Sequence, residues 1–268
     1  MRYFFLVILF SLLSAGAISQ CFDSNFAFQE NERIEYEVYY NWGFIWLNAG
    51  YVDFKVKPGS YIGRSVYHFD AWGSSHKSYD WIFKVRDRYQ SYLDRETLRP
   101  LWFLRENYEG GFEVNNRYIF DQYNNKVYSY TQNSDRPFKK DTVSITSCTF
   151  DILSVVYYCR NLDFSHMAPG DSVPLSSIID NEVFDLYIRY LGKENITTKE
   201  GKGYRCIKFS ALLVEGTIFK GGEDLFVWVT DDLNRIPVLV DAKILIGSVK
   251  AYLVDMTGLR NPVASVMN

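Results

Sequence analysis

Residues 221–254 read G-G-E-D-L-F-V-W-V-T-D-D-L-N-R-I-P-V-L-V-D-A-K-I-L-I-G-S-V-K-A-Y-L-V, and their reading decides the fold class. Three apolar runs rich in Val, Leu and Ile are separated by turn residues. The pattern predicts strands at Glu223–Thr230, Ile236–Leu245 and Ser248–Val254. Asp231-Asp232-Leu233-Asn234 turns between the first two, and Gly247 between the last two. In the first run Phe226 and Trp228 point one way, while Leu225, Val227 and Val229 point the other. Both faces are apolar, so both are expected to be covered. Phe226 and Trp228 then either pack into a core or line a cavity. Pro237 limits ladder pairing at the head of the second run.

The same grammar extends upstream. Ile34, Tyr36, Val38 and Tyr40 alternate with Glu35 and Glu37, the mark of a half-buried strand over Arg33–Tyr40. Trp46–Lys57 and Tyr61–Trp72 follow, with Pro58-Gly59-Ser60 read as the turn between them. A helical turn is expected near Tyr79–Phe83. Further strands are expected at Phe83–Asp94, Pro100–Glu109, Phe112–Asp121 and Lys126–Tyr130, with a short edge strand at Lys139–Ile145. Cys148, Ile152, Val155, Val156 and Cys159 form an apolar stripe at helical spacing, which predicts a helix over Phe150–Asn161 with Asp151 in its first turn. Strands return at Ser172–Ile179, Glu182–Glu194 and Tyr204–Leu213. Short turns favour antiparallel pairing. The expected fold is mainly β: a large, antiparallel, strongly curved sheet or barrel-like closure of about a dozen strands, with one main helix at about 150–161 packed against or inside it.

The 268 residues include 18% aromatics and carry a net charge of −3, a balance that argues against a nucleic-acid binder, which needs a basic surface. Arg2, the apolar run Tyr3–Leu13 and Ala17-x-Ser19 form an export leader over residues 1–19, leaving a single β-rich domain over 20–268. The alternative is a lipid anchor on Cys21, for which Gln20 is a poor preceding residue. After leader removal no stretch is long and apolar enough to span a membrane, so the expected location is the periplasm or cell envelope. Export permits disulfides among Cys21, Cys148, Cys159 and Cys206. Eleven helical steps would hold Cys148 and Cys159 about 16 Å apart, too far for a bond.

Catalytic signatures are missing: no G-x-S-x-G, no H-E-x-x-H and no phosphate-binding Gly loop. The expectation is a non-enzyme without cofactor or metal. His68 and His76 lack a third ligand at metal spacing. Asp231-Asp232 reads as turn chemistry. Arg86-Asp87-Arg88 is more informative, because inward-facing Val85 and Tyr89 draw Asp87 inward with them. A buried carboxylate needs a partner. Either an arginine (Arg105, Arg117 or Arg235) makes a register-setting ion pair, or Asp87 meets a ligand. The candidate ligand-binding residues are Asp87, Tyr89, Phe226, Trp228 and Arg235.

Three stretches carry a resemblance. They are Val85-Arg86-Asp87-Arg88-Tyr89 through Pro100 to Glu109-Gly110, then Asp151–Arg160, and then Val227–Asp232 through Arg235-Ile236-Pro237 to Ile246–Val249. With them the chain resembles the bacterial domain-of-unknown-function family 3108. The resemblance implies an exported protein of Gram-negative bacteria with a mostly antiparallel β fold, and it brings no activity or site residues. A curved sheet embracing a helix is also similar to periplasmic lipoprotein carriers, an analogy of fold alone. Two readings follow: a binder of a lipid, acyl chain or lipoprotein segment in the concave face, or an assembly protein that binds other envelope proteins. A hydrolase using Asp87 or Asp231-Asp232 is the third. An enclosed apolar cavity of about 300 Å³ or more would separate the first from the second.

Overall fold

The structure, a computed structural model, describes residues 24–214, 221–244 and 247–267. The expected leader and Cys21 lie outside these residues. Among the described residues fifteen strands form one sheet, which is curved and does not close. Its first arm is a meander of β1 (Arg33–Trp42), β2 (Ile45–Tyr61), β3 (Arg64–Ser75), β4 (Val85–Asp94), β5 (Pro100–Glu109), β6 (Phe112–Asp121), β7 (Lys126–Asn133) and β8 (Lys139–Ser144). A short helix α1 (Asp80–Phe83) lies between β3 and β4. Two-residue β9 (Thr149–Phe150) and helix α2 (Ser154–Cys159) precede the second arm. That arm is β10 (Ser172–Ile179), β11 (Glu182–Thr197), β12 (Gly203–Leu213), β13 (Gly222–Thr230), β14 (Pro237–Lys243) and β15 (Ser248–Thr257). β15 returns to pair antiparallel with β1, which joins the arms in the middle and leaves β8 and β9 at the edges.

The curvature shows in what α2 touches. Leu153 and Tyr157 pack with Phe69 and Phe103 of the first arm, and the Phe69 and Tyr157 rings stack at 3.8 Å. Tyr158 and Leu162 pack with Ile207, Phe209 and Val227 of the second arm. A helix of six residues reaches both arms only because the sheet wraps around it. The arms also meet directly. Asp180 and Asn181, between β10 and β11, both have positive φ (47° and 74°), as the tight hairpin turn matched to strand twist requires. This turn docks on the first arm: Asn116 Nδ2 donates to Asp180 Oδ1 at 2.7 Å, and Asn181 Nδ2 donates to Thr131 Oγ1 at 3.1 Å.

Polar groups secure both ends of the helix. Asp151 Oδ1 accepts the backbone N–H groups of Leu153 and Ser154, and its Oδ2 accepts the Ser91 hydroxyl of β4. At the far end Arg160 donates to both carboxylate oxygens of Glu32, at 2.6 and 2.9 Å, and to the carbonyls of Ala27 and Asn234. Glu32 and Arg160 are both buried. Asn161 Oδ1 accepts the N–H groups of Phe26 and Ala27.

Two expectations are corrected. Pro58-Gly59-Ser60 is not a turn; these residues pair with Tyr67, Val66 and Ser65 inside β2 and β3. The pairing of β1 with β2 ends at Lys55, so Pro58 faces no neighbour on that side and its missing N–H costs no ladder bond. The helix is shorter than Phe150–Asn161, because Thr149 and Phe150 are drawn into the sheet beside Ser176 and Ser177. Its residues also divide between the two arms instead of forming one stripe. Cys148 is disulfide-bonded while Cys159 and Cys206 are free, so Cys148 is not bonded to Cys159 and its partner lies outside the described residues. Burial pushes the two free thiols up to about 12, which leaves them unreactive.

Removing one member of a buried ion pair strands the other charge. Arg160→Ala is therefore expected to cost about 3–5 kcal/mol in urea unfolding. Lys243→Ala, which breaks the exposed Lys243–Asp224 pair, is expected to cost under about 1 kcal/mol. Equal costs would show that the clamp is not special.

Candidate functional site

Strand alternation sends Arg86 and Arg88 to one face of β4, where they pair with Asp80 and Asp70. Asp87 and Tyr89 consequently face the helix. Register places Asp87 between Gly73 of β3 and Asn107 of β5, and Tyr89 between Ala71 and Arg105. On this face Val52, Phe54, Ala71, Gly73, Ile152 and Val156 wall a cleft of about 240 Å³ with Asp87 and Tyr89 in its lining. Gly73 helps to make the void, since a Cβ there would meet nothing nearer than 3.8 Å. The rest of the interior near α2 is filled by side chains such as Phe28, Phe69, Phe103 and Tyr118. The cleft is thus smaller than the 300 Å³ set as a mark and has room for part of a ligand.

Its polar end is only partly compensated: the Asp87 carboxyl accepts the Tyr108 backbone N–H and shares a hydrogen bond with Glu109. Among the described residues Asp87 Oδ1 is buried without a hydrogen-bond partner, as is Asn107 Oδ1 beside it on β5. Asn107 Nδ2 donates to the Tyr89 hydroxyl at 2.6 Å and to Glu109 Oε1 at 3.0 Å. Burial, and then the negative charge of Glu109, push the Asp87 carboxyl up to about 7, against the pull of Arg105. None of the three arginines considered as partners bonds Asp87. Arg105 reaches Asp180 at 3.5 Å and lies 6.0 Å from the Tyr89 ring. Arg117 is over Tyr130, and Arg235 is over Phe164 with Asp231 at 3.7 Å.

Of the five candidate residues, two come together. Phe226 and Trp228 lie on the face of β13 away from the helix, because Val227 and Val229 take the helix side. There Trp228 Nε1 donates to Glu194 Oε2 at 2.7 Å, and the Lys208 ammonium sits 4.8 Å from its ring. Arg235 occupies the β13–β14 turn with φ 50°. In that turn Asp232 Oδ1 accepts the Thr230 hydroxyl and the Asn234 N–H, while Asp231 takes the Lys193 ammonium. His68 and His76 are held apart, by Gln90 and Asn48. Sequence reading missed Gly73, Asn107, Glu109, Ile152 and Val156. In the sequence Glu109 reads only as the end of the Pro100–Glu109 strand and part of the family resemblance. The register that sets it beside Asp87 comes from β4–β5 pairing, which no local signal announces.

The family model described as Protein of unknown function (DUF3108) matches residues 35–254. The chain belongs to this family. Its match spans β1 to β15 and includes every cleft residue. No curated protein matches the sequence. Among solved structures, the beta-barrel-like protein of domain of unknown function DUF1849 from Brucella abortus is similar at a TM-score of 0.56 and 10% identity. That similarity covers 86% of this chain and 99% of the other. At that identity the likeness is one of fold, so the DUF3108 chain shares a barrel-like architecture with it. Among the described residues no helix is long and apolar enough to cross a membrane.

The raised Asp87 carboxyl makes stability depend on pH. Between the ordinary carboxylate range and about 7 the folded state holds a proton that the unfolded state has lost, so stability falls as pH rises through that window. Asp151, fully buried and pushed up to about 6, acts in the same direction at lower pH. Thermal melts should therefore show a falling Tm up to about pH 8 in the native protein. In Asp87→Asn the fall above about pH 6 should be lost. An unchanged profile would contradict the assignment.

Proposed function

We propose that this DUF3108 protein is an exported cell-envelope binder that takes the apolar part of an amphipathic molecule into the cleft beside α2, acting as a carrier or sensor and not as an enzyme. The observation that carries this reading is an apolar cleft ending in a buried carboxylate oxygen with no hydrogen-bond partner among the described residues. A packed core places apolar side chains in such a space, and buried polar atoms are ordinarily bonded. The leader pattern supports export, and so does the disulfide at Cys148, a bond that persists in oxidising compartments.

A second reading, partner docking in envelope assembly, draws on the rim. Phe44 in the β1–β2 turn is fully exposed, and Trp81 of α1 is 82% exposed. Both project from the end of the sheet toward which the cleft lies, because Gly73 is two residues from the end of β3. The rim suits a partner that delivers or receives the ligand.

The cleft can be closed without breaking the fold, since Gly73→Leu adds a side chain where there is room and φ is unstrained. Native mass spectrometry of the exported chain, purified without detergent, should show a small apolar adduct that Gly73→Leu lacks. A bare mass in the native protein would contradict the binding reading.

A further inference from the structure

The cleft's polar end has a definite sign, and that sign selects the ligand. Asp87 lines the cleft, and Asn107 and Glu109 lie beside it on β5, within one register step. Asn107 is only 5% exposed, and its amide nitrogen is already used by Tyr89 and Glu109. Its Oδ1 and Asp87 Oδ1 are acceptors with nothing to accept. A cation close by, Arg105, faces Asp180 from the opposite arm at 3.5 Å, so its charge is shared with a third carboxylate. Three carboxylates thus lie near one guanidinium, whose buried Nε is also unbonded, and two carbonyl-type oxygens remain without a donor. Unpaired buried acceptors cost about 1–3 kcal/mol each, and more when charged, so the protein alone leaves this end unsatisfied.

Resting on the binding reading above, we propose that the ligand carries a protonated amine on its apolar chain, with the ammonium seated between Asp87, Glu109 and Asn107. An ammonium supplies three donors and a positive charge and has no acceptor to clash. A carboxylate or phosphate head would meet Asp87 and Glu109 as like charges, which are repelled strongly where water is scarce. A neutral alcohol satisfies one acceptor and leaves the Glu109 charge, and that of Asp87 once its proton has gone. Recognition therefore follows the order amine, alcohol, acid, with the apolar walls contributing equally to all three.

Octylamine, octanol and octanoate share a chain and differ only in the head, so titrating each into the full exported chain by calorimetry near neutral pH isolates the sign of the site. Octylamine is expected to bind at least about tenfold more tightly than octanoate. Asp87→Asn and Glu109→Gln should each remove most of that advantage, with octanol binding changing far less than octylamine binding. Asp87→Asn is a conservative change at a carboxyl whose Oδ1 has no partner, and Glu109→Gln repeats the test at the neighbouring one. Octanoate binding as tightly as octylamine, or an advantage that survives both substitutions, would overturn the proposal and leave the apolar cleft standing. Binding by none of the three would overturn both the proposal and the cleft reading beneath it.

Discussion

The buried pair of Glu32 and Arg160 is the constraint on which the placement of α2, and with it the cleft, depends. It joins residues 128 apart in sequence and connects three regions at once: the chain before β1, the end of α2 and the turn between β13 and β14. A single turn and a half of helix is not stable in water by itself. α2 persists because Asp151 satisfies its first N–H groups and Arg160 locks its last turn to the sheet. A guanidinium out of water is costly unless its donors are nearly all used, and here Nε, Nη1 and Nη2 all have acceptors. The rings of Phe28 and Tyr157 flank it at 5.7 and 5.4 Å, so the ion pair is built into the aromatic core.

With the helix held in place, the arms have something to wrap around, and the cleft follows from what the helix leaves uncovered. Tyr157 fills the space over Phe69, whereas Ile152 and Val156 stand over a stretch of β3 where Gly73 offers no side chain. The void falls where the first arm turns polar, so an apolar space and a partly compensated carboxylate become neighbours. The Asp180-Asn181 turn bounds the same region by docking on β6 and β7 and drawing Arg105 toward the second arm. The fold shared with the Brucella abortus protein accounts for the wrap, while the chemistry belongs to Asp87 and its neighbours.

Much of the sheet was legible because its signals are local. Pro100–Glu109, Phe112–Asp121 and Ser172–Ile179 form strands with the bounds their alternation and flanking turns imply. Pro58 misled because a proline's fit in a strand depends on whether a neighbour lies on its N–H side, and that is fixed by where β1 stops. The helix misled for a related reason: the spacing of Ile152, Val155, Val156 and Cys159 is helical, but β10 captures Phe150 and two arms share the buried residues. Asp87 was legible as inward-facing from Val85 and Tyr89 alone. That it lies beside Glu109 and away from Phe226, Trp228 and Arg235 depends on registers and curvature, which one sequence does not state. Glu32 and Arg160 gave no sign of each other, since nothing local links them.

The central claim is that the Glu32–Arg160 clamp holds α2 inside an otherwise independent sheet. Amide hydrogen exchange on Glu32→Gln, compared with the native protein well below its unfolding transition, tests it directly. The account predicts that protection falls selectively in residues 26–32 and 153–162, while the central ladders of β2 to β5 keep theirs. Unchanged protection in α2, or an equal loss across every strand, would contradict it.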